Sequence, residues 1–170
     1  MRRRLTWLAL ITAAIVVTVL YHAKNVMATP ADGFVGTTLA LGRFGEIDVS
    51  NKLLISPGNI WRSSQKTQGL SDVYVQSNVW QPGGTTGWHT HPGHSLITVT
   101  AGTVTAYDGN DPDCTPHVYT AGMGFVDPGG GHVHIIRNEG TVEAKTIAVQ
   151  VVPAGATRRI DAPAPGNCPF

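Results

Sequence analysis

The sequence predicts an all-β fold, a small single-domain barrel. Three observations carry that reading. Charged residues are only 14% of the 170-residue chain, while Gly (20) and Pro (11) are plentiful, as tight turns between short strands require. Beyond residue 72, short runs rich in β-branched and aromatic residues recur between turn residues. After residue 28 no segment keeps a sustained helical apolar period.

The first 28 residues stand outside that fold. Arg2, Arg3 and Arg4 form a basic start, Leu5 to Leu20 is uncharged and apolar, and Val26-Met27-Ala28 offers small-residue cleavage positions. This is the layout of a secretory signal peptide cut after Ala28. The alternative is an uncleaved anchor over residues 5–21, but the apolar run is shorter than the roughly 20 residues that span a bilayer. Loss of this segment removes Arg2, Arg3, Arg4 and Lys24. Eight Lys and Arg then face eleven Asp and Glu, a net charge of −3. No basic patch remains for phosphate binding, so nucleic acid is excluded as a partner. In an exported chain the two cysteines, Cys114 and Cys168, are expected to pair as a disulfide.

Residues 29–60 read as an N-terminal arm with short strands at Thr37–Leu41 and Ile47–Val49, able to pack on the barrel or on a second subunit. Trp61 to Ser71 is polar and reads as loop. The barrel is expected over residues 61–155. Its first strand starts at Asp72 and is ended by Pro82-Gly83-Gly84. Further strands are expected at Thr86–His91, Ser95–Thr100, Thr103–Tyr107, His117–Thr120, Gly124–Val126, His132–Arg137 and Lys145–Val152. The Pro-rich tail, residues 156–170, reads as an extended surface strap.

Chemistry concentrates in two histidine pairs. His89-Thr90-His91 lies beside Pro92, and His132-Val133-His134 follows Pro128 and three glycines. On a strand, residues i and i+2 share a face, so both members of a pair can reach one point. Neutral imidazoles suit zinc, iron, copper and nickel. Asp108, Asp111 and Asp113 lack the Gly and Glu of a calcium loop and read as a solvated turn. Trp88, Ile97, Val99, Phe125 and Ile136 read as core or cavity wall.

Both motifs resemble those of the cupin family. Gly83, His89, His91 and Gly102 fit the first, with Ser95 where the family has a glutamate. Gly122, Pro128, Gly131, His134 and Asn138 fit the second, with one extra residue in the glycine run. The resemblance covers about residues 73–152 and is closest to small secreted bacterial cupins. It implies a jelly-roll barrel holding one divalent metal on His89, His91 and His134. His132, or a water, could fill the position the glutamate leaves. An all-imidazole site keeps the full charge on the ion, which favours zinc, iron, copper or nickel over manganese. His94 is expected to point away. The implied function is an exported metal-dependent enzyme acting on a small organic molecule by oxygenation or Lewis-acid chemistry. The alternative is a non-catalytic module for a metal or small ligand. A homodimer through the N-terminal arm is a further expectation.

Overall fold

A computed structural model describes residues 28–170. The expected signal segment therefore lies, but for Ala28, outside the described residues. Among the described residues the fold is all-β. The strands are β1 (Asp32–Phe44), β2 (Asp48–Ser56), β3 (Asn59–Lys66), β4 (Ser71–Thr85), β5 (His89–Thr90) and β6 (Ser95–Ala101). They continue with β7 (Thr103–Asp108), β8 (His117–Thr120), β9 (Gly124–Asp127), β10 (His134–Arg137), β11 (Ala144–Pro153) and β12 (Ile160–Asp161). No helix among the described residues is long and apolar enough to cross a membrane.

Two antiparallel walls face each other. One runs β1-β4-β11-β6-β9 and the other β12-β5-β10-β7-β8. They join where Thr85, at the end of β4, pairs with Arg137 of β10. Strand alternation sorts the side chains. In β6, Ser95, Ile97 and Val99 are buried while Leu96 and Thr98 face out. Trp80, Val99, Val104, Ile136 and Ala144 form the inner core, with the Phe34 ring tilted against Trp80 at a centroid distance of 4.9 Å.

Several boundaries differ from the sequence expectation, each for a physical reason. Pro82-Gly83-Gly84 bends β4 instead of ending it. Gly83 has φ +78°, its N–H donates to the Asn138 carbonyl (2.9 Å), and Gly84 accepts from the Asn138 N–H (2.8 Å). The strand thus crosses from one wall to the other, and a glycine bend is what permits that turn. The supposed loop Trp61–Ser71 is largely β3, paired with β2 from Asp48↔Lys66 to Ser56↔Asn59. This hairpin has both faces in solvent, so its polarity carries no strand alternation. It also runs across the boundary expected after residue 60. The expected strands Thr86–His91 and His132–Arg137 shorten to His89–Thr90 and His134–Arg137. The shortening at His132 follows from Gly129, Gly130 and Gly131, all at positive φ, with the His132 N–H closing a turn on the Gly129 carbonyl at 3.1 Å.

The tail does more than run over the surface. β12 adds to β5 through Ile160↔Thr90 and Asp161↔His89. Beyond it, Ala162 packs with Trp88, Tyr107 and Ile135 in a second apolar cluster outside the barrel. Cys114 and Cys168 form the expected disulfide, with Cα atoms 5.2 Å apart. Phe170 rests on Tyr107, and the Arg137 guanidinium lies 4.1 Å over its ring. At the start of the tail, the Gly155 N–H donates to Asp72 (2.8 Å), whose carboxylate also takes a two-pronged bond from Arg43 of β1. Arg43 holds the Asp72 carboxyl down to about 2.

Candidate metal centre

His89 and His91 flank Thr90 of β5, and His134 opens β10, where it pairs with His89. All three side chains are buried. Ring centroids lie 4.8 Å (His89–His91), 4.3 Å (His89–His134) and 5.6 Å (His91–His134) apart. One nitrogen from each lies within 4.8 Å of the others. Each Nδ1 meets a main-chain carbonyl: His89 on Gly87 (2.9 Å), His91 on Arg158 (2.6 Å) and His134 on His132 (3.3 Å). A carbonyl can only accept, so each Nδ1 carries the proton and donates. Every Nε2 then keeps its lone pair. Outer hydrogen bonds of this kind fix tautomer and ring orientation in metal-ligating histidines.

Burial pushes all three imidazoles toward the neutral form. His89 is driven well below its ordinary value of 6.5 by burial and then by His134. His134 falls to about 4, again chiefly through burial, and His91 is lowered for the same reason. Neutral imidazole is the form that binds a metal. This buried set is a potential metal site, and its donor chemistry fits a divalent transition ion.

Ser95 is buried in the cavity wall, where the motif carries a glutamate in its relatives. Directly across the ladder from Ser95 stands Asp127 of β9, also buried. Its Oδ2 is 3.7 Å from His91 Nε2 and has no hydrogen-bond partner. Its Oδ1 is 3.7 Å from His134 Nδ1 and accepts the Gly129 N–H at 2.9 Å. Sequence reasoning missed this carboxylate. The signal was present: Asp127 alternates with Phe125 and pairs in register with Ser95, so both face inward.

His132 takes another direction. Its Nε2 is 3.0 Å from Asp108 Oδ2, and it lines a second cavity of about 160 Å³ with Tyr119, Phe125 and Asp127. It groups with Asp127 and His134, not with His89 and His91. His94 is half-buried and shares an open groove with Leu96 and with Asn51 and Ser64 of the hairpin. Asp108 and Asp111 cap turn amides, at 2.7 Å to Asn110 and at 2.7 and 3.0 Å to Thr115 and Asp113. Asn138, the last motif residue, holds the carbonyls of Trp80, Gln81 and Val142 together and touches no histidine cluster. Its role is to lock the wall-to-wall crossing.

The cavity in front of the histidines measures about 60 Å³. Gln76, Ser95, Gln150, Arg158 and Arg159 supply its polar lining, and Trp80, Ile97 and Ile136 its apolar lining.

Residues 78–150 match the family model for the cupin domain. No curated protein matches the chain by sequence. Among solved structures, an oxalate oxidase is similar at 26% identity and a TM-score of 0.41, over 48% of this chain and 46% of that one. The match thus spans less than half the length of that oxidase. An uncharacterized conserved protein with a double-stranded beta-helix domain from Klebsiella pneumoniae is 27% identical, with a TM-score of 0.43 over 54% of this chain and 74% of that chain. A cupin domain from Bordetella pertussis is 20% identical, with a TM-score of 0.44 over 74% of this chain and 97% of that chain. On its paired motifs and that family match, residues 78–150 of this chain are a cupin domain.

Proposed function

We propose that this is an exported cupin that binds one divalent transition ion on His89, His91 and His134 and uses it on a small organic molecule. The observation that carries the reading is the triple Nδ1 anchoring, which leaves three Nε2 lone pairs beside one small cavity. Asp127 is the candidate source of the negative charge that Ser95 lacks: its Oδ2 lies 3.7 Å from His91 Nε2, and its carboxylate groups with His134 and His132 rather than with His89. With that carboxylate beside the three imidazoles, manganese suits the site as well as zinc, iron, copper and nickel. When bound, such an ion supplies Lewis acidity, an acidified water or a site for oxygen chemistry. The chain's own contribution is to hold the imidazoles neutral and to restrict the cavity to small molecules. The other reading, a non-catalytic module that captures a metal or small ligand, rests on the same cavity and on the absence of a general acid or base among its described lining residues apart from the histidines. Export is supported by the Cys114–Cys168 disulfide, since such bonds persist in oxidising compartments.

Elemental analysis of the purified chain tests the metal. About one equivalent of zinc, iron, copper, nickel or manganese per chain is expected. A chain that stays metal-free after incubation with each ion refutes the reading.

The arm is proposed to join two copies. Among the described residues the β2–β3 hairpin pairs with no other strand, and Leu53, Leu54, Ile55, Ile60 and Trp61 are 41–64% exposed. An isolated two-stranded hairpin is marginal in water, so a covering surface is needed. The outer face of the β1-β4-β11-β6-β9 wall offers one, with Val35, Leu96 and Val126 more than half exposed. Sedimentation velocity is expected to show a dimer that Leu53→Lys with Trp61→Lys converts to monomer. A wild-type monomer at tens of micromolar overturns this.

A further inference from the structure

The tail that straps the barrel also reaches into the histidine cavity. Arg158 and Arg159, immediately before β12, both line it. Their situations differ. Arg159 Nη2 lies 2.7 Å from Asp161 Oδ1 and donates to the Thr86 carbonyl at 2.6 Å, so its charge is matched. Arg43 and Arg137 likewise face carboxylates, Asp72 and Glu139. Arg158 is half-buried and, among the described residues, forms no ion pair. Its guanidinium donates to Gln76 Oε1 and lies 5.7 Å from the centre of the Tyr74 ring. A partly desolvated cation with no carboxylate beside it, and with the Arg159 cation in the same lining, is costly unless an anion completes it. Gln150 and Asn78, in the same lining, each carry a buried oxygen without a donor.

We propose that the C-terminal strap is the anion-recognition element of this cavity, with Arg158 binding the carboxylate of a small hydroxy acid in front of the three histidines. The assignment rests on the metal-centre reading only for what lies at the far end of the ligand. The planar fork of Arg158 matches a carboxylate in a way a lysine cannot. The class is bounded by size. A cavity of about 60 Å³ holds roughly four to six non-hydrogen atoms, taking about 10–15 Å³ per water position. A ligand hydroxyl provides the donor that the Gln150 oxygen lacks. Arg158 also joins the two ends of the site, because its carbonyl accepts from His91 Nδ1 at 2.6 Å while its side chain lines the cavity. A side-chain substitution leaves that carbonyl in place, so the anion site can be removed without touching the His91 anchor.

The test is calorimetric titration of lactate into the full chain, with elemental analysis of every sample. Lactate is expected to bind, while lactamide, its uncharged analogue, and glutarate, which is too long, are not. Arg158→Gln should weaken lactate at least about tenfold, the loss typical of a bond to a charged group. Arg158→Lys should retain part of the affinity, and Lys145→Gln all of it. The metal content of the Arg158 variants should equal that of wild type. Equal lactate affinity in wild type, Arg158→Gln and Arg158→Lys overturns the proposal, and so does inorganic phosphate binding more tightly than lactate. A metal-free wild type that still loses lactate on Arg158→Gln would refute the metal reading and support this one.

Discussion

Replacing His89, His91 or His134 by Ala is expected to remove most of the proposed metal, whereas His132→Ala is expected to leave it near one equivalent per chain. The contrast follows from geometry. The first three each direct one Nε2 to a common point, with Nδ1 spent on a carbonyl of Gly87, Arg158 or His132. The His132 ring instead lies 3.0 Å from Asp108 and outside the three-histidine group. Losing even an outer partner of a metal ligand costs roughly 10–100-fold in affinity, so losing a ligand costs more. Asp127→Asn should fall between, because it removes the charge of the partnerless Oδ2 while keeping the side chain's shape. Elemental analysis on the purified variants reads all five. Normal metal content in two of the three histidine variants rules out this ligand set. Loss on His132→Ala equal to that on His134→Ala shifts the site to the Asp127-His132-His134 group.

Cys114→Ser with Cys168→Ser lowers the unfolding free energy by up to about 4 kcal/mol, as loop-closure entropy predicts for a sequence separation of 54. The effect should reach beyond stability. The bridge anchors the strap at its far end, where Asn167 also donates to the Asp108 and Asp111 carbonyls at 2.9 and 2.6 Å. Released there, the tail depends on β12, Ala162 and the start of the strap to keep the Arg158 carbonyl on His91. Metal affinity should therefore drop alongside the denaturation midpoint. Equilibrium urea unfolding with and without reductant measures the first part. An unchanged midpoint would mean that β12 and the Phe170–Tyr107 contact hold the strap unaided.

The sequence carried the all-β class, most strand positions from Ser95 onward, and the disulfide. It did so because those features are local or arithmetical: turns at glycine and proline, period-two burial, and an even count of two cysteines. The two histidine pairs were visible for the same reason. Whether His132 would join the others was not, because three successive glycines at positive φ take that residue off the strand, and a loop residue obeys no period. The β2–β3 hairpin escaped notice because a strand with both faces in solvent has no alternation to read.

What sequence alone determined, then, is the chemistry available: imidazoles at strand spacing, a serine in place of a glutamate, and a tail long enough to return. Which groups meet was decided by the tertiary structure. Asp127 faces Ser95 only because β9 pairs with β6 in that register, 32 residues apart in the chain. Arg158 reaches His91 only because β12 adds to β5, a contact spanning 67 residues. Both are long-range pairings whose partners are chosen by barrel closure and the burial it brings, and no local periodicity encodes them.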